Sequence, residues 1–185
     1  MRPLLVAFVG GGSGPWGIQR IEPVIGESLP TTERLAVLEG EPRHTAEADW
    51  VLRGVTSNER YVNEDERTSL TARQEGLGRP EATCAALIPI KKSETWWELT
   101  QEARREIFEE RSHHIVTSLP YLPKVARRLH HGRDLGEPFD FLTWFEYAPA
   151  HREAFEELVG KLRETEEWTY VEREVDIRLI RDGHP

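Results

Sequence analysis

"FDFLTWFEYAPAHREAFEELVGKLRETEEWTYVEREVDIRLIR", residues 139–181, is the stretch that decides the fold, because it combines a strand, a helix and a second strand. Its middle part, His151–Arg163, has apolar residues at the i, i+3, i+4, i+7 spacing of a helix that lies on a sheet. These residues are Phe155, Leu158, Val159 and Leu162. The flanking segments Phe139–Tyr147 and Trp168–Arg181 are rich in aromatic and β-branched residues, which favours strands.

The rest of the chain continues this mixture of helices and strands. A long helix is predicted for Glu94–Val116, and the polar segment Asn58–Pro80 is predicted to contain a helix and a loop. Further strands are predicted for Leu4–Val9, Arg34–Leu38, Trp50–Thr56 and Thr83–Lys92. This order of elements predicts an α+β fold with helices over one face of a sheet.

Composition limits the classes of function. The chain has 185 residues and a formal net charge of −9, which argues against a nucleic-acid surface, since such surfaces need clustered Lys and Arg. Cys84 is the only cysteine, so an internal disulfide is excluded. The run PLLVAFVGGGSG, residues 3–14, indicates a buried strand ending in a glycine-rich turn and not a signal peptide. No run reaches the roughly 20 apolar residues of a membrane span, and we expect a cytoplasmic protein.

Helical periodicity predicts that His114 faces inward. If the helix Glu94–Val116 is unbroken, His114 lies about five turns after the apolar Trp96 and returns to the same angle. His113 then falls among the glutamates of the solvent-facing side. The ordinary interpretation of an inward histidine is a core residue bonded to a carbonyl group.

Two opposite charges share the inward register with this histidine. Lys92 ends the strand face that begins with Cys84, and Glu167 has the parity of the apolar residues of the last strand. Buried charges need partners, and a carboxylate beside an inward imidazole is how proteins orient a metal-ligating histidine. One histidine is too few for a zinc site but is enough for a haem iron. A simple buried salt bridge explains the pattern equally well, so both interpretations stay open.

Five separated motifs resemble the chlorite dismutase family, and in particular its short-subunit, dimeric branch. They are VGGGSGPWGIQ (9–19), LRGVTSNERYV (52–62), KKSETWWELTQEARREIFEERSHH (91–114), DFLTWFEYAPAHREAFEELV (140–159) and EEWTYVEREVDIRL (166–179). The resemblance extends over nearly the whole chain.

The resemblance implies a dimeric α+β barrel built from two ferredoxin-like halves, with the N-terminal half reduced. Residues 1–92 would form the reduced half and residues 93–185 the haem-binding half of one compact unit. It implies one non-covalent haem b per subunit of a homodimer. The implied reaction is decomposition of chlorite to chloride and dioxygen, through ferryl and hypochlorite intermediates and O–O bond formation.

The resemblance also assigns roles to residues of this chain. His114 resembles the proximal ligand of the haem iron, Glu167 its hydrogen-bond partner, and Lys92 the residue that completes this network. Arg127 is similar to the catalytic distal arginine and Gln74 to the distal glutamine. The other implied haem-binding residues are Trp96, Trp97, Tyr61 and Asn58.

Arg127 is assigned by resemblance alone. A helix from Lys124 to His131 would have Val125 and Leu129 on its apolar stripe, with Arg128 nearer to that stripe than Arg127. His130 and His131 precede Gly132, a residue type that ends helices, so capping or surface roles are expected for both.

Three other functions are compatible with the sequence. Within the same superfamily these are a coproporphyrin-haem decarboxylase and a weak peroxidase; an arginine at position 127 favours chlorite turnover instead, because the decarboxylase branch generally lacks it. The third is a haem-binding protein without turnover. A barrel dimer that binds no haem is the remote alternative.

Overall fold

The computed structural model describes residues 3–42, 45–56, 62–73 and 75–183. Its strands are β1 (Leu5–Gly11), β2 (Trp16–Ile25), β3 (Arg34–Glu39), β4 (Trp50–Thr56), β5 (Cys84–Lys92), β6 (Val125–His131), β7 (Phe141–Tyr147) and β8 (Val171–Arg181). Its helices are α1 (Glu64–Arg73), α2 (Glu94–Glu98), α3 (Gln101–Arg105), a π-helix (Glu106–Arg111), α4 (His114–Ser118) and α5 (Arg152–Arg163). Short 3₁₀ helices cover Arg133–Leu135, Pro149–His151 and Glu166–Tyr170.

The strands close into a barrel in the order β1-β3-β2-β8-β5-β7-β6-β4, with antiparallel pairing throughout. Each consecutive set of four strands has the ferredoxin-like order, namely β2-β3-β1-β4 and β8-β5-β7-β6. In the first set, the connections between strands contain no helix among the described residues. The predicted α+β barrel is therefore confirmed. The boundary between halves at residue 92 stays a proposal; in this strand order β5 (Cys84–Lys92) belongs to the second set of four strands.

The two faces of the sheet bury different sets of side chains. The barrel interior is an apolar core that includes Phe8, Trp16, Leu87, Trp144 and Ile177. The outer face of β5 and β7 packs against α5 and forms a second cluster, with members Cys84, Ala86, Ile88, Ile90, Phe145, Tyr147, Phe155 and Val159. Because side chains alternate along a strand, each strand residue faces either the interior or this outer layer.

The segment Val125–His131 is a strand and not the helix considered for Lys124–His131. Val125–His131 pairs along its whole length with β7, so strand pairing outweighs the local helical pattern. His130 and His131 are buried at 0% and 6% exposure, so the predicted surface or capping roles were wrong. The strand β2 was not predicted at all.

The predicted helix Glu94–Val116 is broken into four pieces. Leu99 is extended between α2 and α3, α3 runs into the π-helix, and His113 has a left-handed backbone (φ 51°) before α4. The regular helix assumed in the sequence argument is therefore wrong, although its conclusion about His114 agrees with the structure. Within the described ranges, no helix is both long enough and apolar enough to cross a membrane.

His130 lies inside the barrel with a fixed hydrogen-bonding pattern. Its Nδ1 donates to the carbonyl of Leu142 (2.9 Å), and its Nε2 accepts from Nε of Arg128 (3.0 Å). Its ring packs edge-on against Phe8. A Cβ on Gly54 would approach the Cβ of His130 to 2.6 Å, so only glycine leaves space for it on β4. Burial lowers the pKa of His130 from 6.5 to about 4; the neighbouring charge of Arg128 adds to this effect, and the bond to Leu142 opposes it.

The pKa of His130 predicts a pH-dependent stability. The unfolded chain binds a proton at His130 near pH 6.5, whereas the folded chain does so near pH 4, so this stabilisation is complete above pH 6.5 and is lost as the pH falls toward 4. The shift corresponds to about 3 kcal/mol. We expect His130→Gln to lose less unfolding free energy than the parent between pH 7 and pH 4.5 in urea titrations. His113→Asn, at an exposed position where asparagine tolerates the left-handed backbone, is the control; equal pH dependence in parent and His130→Gln would contradict the assignment.

Candidate haem site

A cleft lies between the outer face of the sheet and the helices that follow β5. Its empty volume, including the open mouth, is about 1130 Å³. Most of its lining is apolar, including Ile88, Ile90, Leu129, Phe141 and Leu158. The polar residues on its wall are Lys92, His114, Ser118, Arg127, His131, Thr143, Glu167 and Glu174. A largely apolar cleft with a few convergent polar groups is the usual form of a cofactor site.

His114 is oriented by a hydrogen bond to a buried carboxylate. Its Nδ1 lies 2.7 Å from Oε2 of Glu167. Because an ionised carboxylate only accepts hydrogen bonds, Nδ1 donates to Glu167, and Nε2 is the ring nitrogen left for a ligand. The imidazole on the cleft wall therefore has its ligating nitrogen defined by Glu167.

Lys92 compensates the charge of Glu167. Its Nζ donates to Oε1 of Glu167 at 2.8 Å, and both residues are buried, at 3% and 5% exposure. Burial alone would raise the pKa of Glu167, but the charges and hydrogen bonds of Lys92 and His114 outweigh burial and lower this pKa to about 2. Glu167 is thus a carboxylate near neutral pH and can accept the hydrogen bond from Nδ1 of His114.

Local chain geometry explains why His114 projects from this position. The carboxylate of Glu109 accepts hydrogen bonds from the backbone N–H groups of Ile115 (2.6 Å) and Val116 (3.2 Å) at the start of α4. The left-handed residue His113 turns the chain between the π-helix and α4. Glu109 therefore caps the short helix that begins with His114, and it does so from the preceding turn.

Two aromatic rings lie nearly parallel to the imidazole of His114. The ring of Phe108 is 4.5 Å from it, centroid to centroid, at an interplanar angle of 27°. The indole of Trp168 is 6.3 Å away at 23°. At this distance the ring of Phe108 stacks directly on the imidazole, and Trp168 lies farther away.

Arg127 also lines the cleft, and strand alternation explains why Arg128 does not. Arg127 and Leu129 both line the cleft from β6. Arg128 points to the other side, where it contacts His130. The structure thus selects the arginine that the helical pattern disfavoured. Its catalytic role stays a prediction.

The two tryptophans after Ser93 have different surroundings. Trp96 is buried and lines the cleft, with Nζ of Lys92 4.4 Å from its ring centroid. Trp97 instead donates through Nε1 to Asp140 (3.2 Å) and lies between the guanidinium groups of Arg104 and Arg133. A direct cofactor contact is therefore better supported for Trp96 than for Trp97.

The predicted residues Gln74, Tyr61 and Asn58 lie outside the described residues.

The parity argument for Glu167 reached the right residue for the wrong reason. The interior-facing residues of β8 are Val175, Ile177 and Leu179, on the side of the sheet away from the cleft. Glu167 precedes β8, in the 3₁₀ helix Glu166–Tyr170, and parity along the strand does not apply to it. A bulge, where Lys91 pairs with Arg173 and Lys92 with Val171, also reverses the parity at the start of β8.

Sequence reasoning missed Phe108, Glu109, Trp168 and Glu174 as site residues. The π-helix changes the angle between successive side chains, so a regular helical projection misplaces Phe108 and Glu109. Glu174 was given no role by the sequence pattern. Its burial follows from the pairing of β8 with β5 and from its hydrogen bonds to Arg163 on α5, and the strand sequence alone gives no signal of these contacts.

The donor set fits a haem better than a bare metal ion. Among the described residues, no group of three or more His, Cys, Asp and Glu side chains could hold a metal. A porphyrin supplies four ligands itself and needs only one from the protein. One oriented imidazole on an apolar cleft wall meets this requirement. Fold and site together define an α+β barrel protein with an apolar cleft on the outside of the sheet, whose residues could hold a haem.

Comparison with known proteins identifies the family. The family model described as chlorite dismutase matches residues 31–181. The crystal structure of a dimeric chlorite dismutase from Nitrobacter winogradskyi is 61% identical, covers 95% of this chain and 99% of its own, and superposes with a TM-score of 0.89. The chain therefore belongs to the chlorite dismutase family of enzymes.

More distant relatives share the fold. Chlorite dismutase from Candidatus Nitrospira defluvii, in complex with imidazole, is 21% identical, with a TM-score of 0.68 over 97% of this chain and 92% of its own. The curated chlorite dismutase of Ideonella dechloratans is 34% identical over 97 residues, which is 51% of this chain. The chain thus spans about a third (33%) of the length of that curated relative.

Because Lys92 and Glu167 are buried as a pair, we expect loss of the Glu167 carboxylate to cost more stability than loss of an exposed carboxylate. Glu167→Ala leaves a buried ammonium group without its carboxylate, and we expect a loss of about 3 kcal/mol of unfolding free energy. The control Glu166→Ala removes an exposed carboxylate, paired with Arg111 at 3.0 Å, and should cost about 0.5 kcal/mol or less. Chemical unfolding of both variants measures the difference. Similar small losses in both would show that the buried pair contributes little.

Proposed function

We propose that this chain is a haem b enzyme that decomposes chlorite to chloride and dioxygen. The single observation that carries the proposal is the buried hydrogen bond between Glu167 and Nδ1 of His114 on the wall of an apolar cleft. The family membership and the 61% identity to a dimeric chlorite dismutase support it.

In this proposal, His114 holds the haem iron through Nε2. Glu167, itself balanced by Lys92, raises the electron-donating strength of the imidazole, as carboxylates do for metal-bound histidines. Trp96 and the apolar wall exclude water from the porphyrin. The chemistry that haem supplies when bound is an iron centre able to take an oxygen atom from chlorite and return it to form the O–O bond.

Arg127 is proposed to hold the oxyanions during this reaction. The reaction consumes no net protons and no electrons, so the site needs a fixed cation and no acid–base histidine. A guanidinium group is always protonated and presents a planar fork of donors to oxyanions. It would bind chlorite on arrival and retain hypochlorite until dioxygen forms. Gln74 is proposed to assist on the same side.

A homodimer with one haem per subunit and a cytoplasmic location complete the proposal. The dimeric relative from Nitrobacter winogradskyi supports the oligomeric state.

Substitutions on β6 test the role of Arg127. Arg127→Ala should retain haem and lower kcat/KM for chlorite about tenfold or more, the equivalent of one lost charge-assisted hydrogen bond. Arg128→Ala, one position along the strand, is the matched control and should leave turnover unchanged. An oxygen electrode measures turnover, and the Soret band measures bound haem. Unchanged turnover in Arg127→Ala would remove this residue from catalysis.

The same measurements on the unmutated protein distinguish the competing functions. Oxygen release from chlorite supports the proposal. A Soret band without oxygen release would indicate a haem carrier or another haem activity, and decarboxylation of coproporphyrin-haem would identify the decarboxylase. Absence of a Soret band after haem addition would contradict every haem function.

His114→Ala should lose most of its bound haem.

The dependence of the rate constant on ionic strength tests whether Arg127 attracts chlorite electrostatically. The chain has a net charge of −9, so chlorite must be attracted by a local cation against the overall field. With Arg127 present, we expect the apparent second-order rate constant to fall as salt rises, because salt screens this attraction. In Arg127→Ala the slope should be flat or reversed. The same slope in both proteins would show that Arg127 does not guide chlorite.

A further inference from the structure

A second buried carboxylate lies next to the haem cleft without touching His114. Glu174 is 0% exposed and lines the cleft from β8, where it pairs with Ile90 of β5. Its Oε1 accepts from Nε (2.8 Å) and Nη2 (2.7 Å) of Arg163 on α5. Its Oε2 accepts from Nε1 of Trp168 at 2.8 Å.

The hydrogen bond from Trp168 connects this ion pair to the imidazole. The indole of Trp168 is nearly parallel to the ring of His114, at 23° and 6.3 Å. Nζ of Lys92 lies 5.6 Å from the same indole. Trp168 thus contacts the His114–Glu167–Lys92 network on one side and is anchored through its N–H group on the other.

A buried ion pair is rarely the most stable solution for a core position. Apolar residues of similar volume often stabilise a fold as much or more. Stability alone therefore does not explain why Glu174 and Arg163 occupy these positions. An ion pair fixes the direction of a hydrogen bond, which an apolar side chain cannot do. Here that direction sets the orientation of the Trp168 indole.

We propose that Glu174 and Arg163 form a positioning device that holds Trp168 against His114 and thereby fixes the rotation of the iron-binding imidazole. Trp168 and Glu174 are positioning residues in this account, since neither touches the substrate. The inference rests on the proposed function, because it takes His114 as the haem ligand. Its consequence is a defined imidazole plane relative to the porphyrin.

The test compares two Trp–Glu pairs of the same chain. Trp168→Phe keeps an aromatic ring and removes the anchoring N–H, while Glu174→Gln weakens the ion pair. The matched control is the barrel-interior pair in which Nε1 of Trp144 donates to Glu146 at 2.9 Å, altered by Trp144→Phe. The haem-loaded proteins are examined by resonance Raman spectroscopy of the Fe–His stretch and by EPR of the ferric state, which reports rhombicity.

We expect Trp168→Phe to shift the Fe–His band and change the EPR rhombicity, and Glu174→Gln to shift both in the same direction. The double variant should show no further shift, because both changes act through one contact. Trp144→Phe should match the parent. If Glu174→Gln does not fold, Trp168→Phe alone decides the question.

Three results would overturn the inference. Bands in Trp168→Phe that match the parent, while Glu167→Gln moves them, would show that His114 is the ligand but that Trp168 does not position it; the proposed function would then stand. An equal shift in Trp144→Phe would show that any lost Trp–Glu bond has this effect. A parent protein without an Fe–His band would contradict the proposed function and this inference together.

Discussion

The buried carboxylate of Glu167 is the interaction on which the site depends. It accepts from Lys92 of β5 on one oxygen (2.8 Å) and from His114 of α4 on the other (2.7 Å), while Glu167 itself lies in the 3₁₀ helix before β8. A carboxylate buried to this extent is tolerable only with both partners present. The need to satisfy Glu167 therefore constrains where these three elements can lie, and the result is an imidazole with one defined ligating nitrogen.

In the closed barrel, the main apolar core and the candidate site lie on opposite faces of the sheet. The interior is filled by apolar side chains from both sets of four strands. The outer face of β5, β6 and β7 is thus available for a cleft, and alternation along β6 directs Arg127 into it while Arg128 faces His130. Because adjacent side chains of a strand point to opposite faces, only one of these two neighbouring arginines faces the cleft.

Much of the fold could be predicted from periodicity, and the exceptions have physical causes. The C-terminal strand–helix–strand unit has strong local signals and was predicted within a few residues. The strand β6 has a helix-like local sequence and becomes a strand only because it pairs with β7 and closes against β4. The stretch before His114 has helical composition, but a π-helix and a left-handed His113 interrupt it, and neither has a sequence signature.

Prediction of the candidate site shows the same division. Lys92 could be inferred from strand alternation, because an isolated charge at an inward position needs a partner, whereas His114 and Glu167 were reached through a regular helix and a strand parity that the structure does not have. Phe108, Trp168 and Glu174 could not be inferred, because their contribution depends on ring stacking and on hydrogen bonds between distant segments. Arg127 required either the family resemblance or the strand assignment of β6.

A crystal structure of the haem-loaded protein tests the central claim most directly. The account predicts iron bonded to Nε2 of His114, with Nδ1 of the same ring still hydrogen-bonded to Glu167 and the carboxylate still paired with Lys92. Iron bonded to a different side chain, or His114 turned away from the porphyrin into solvent, would contradict it.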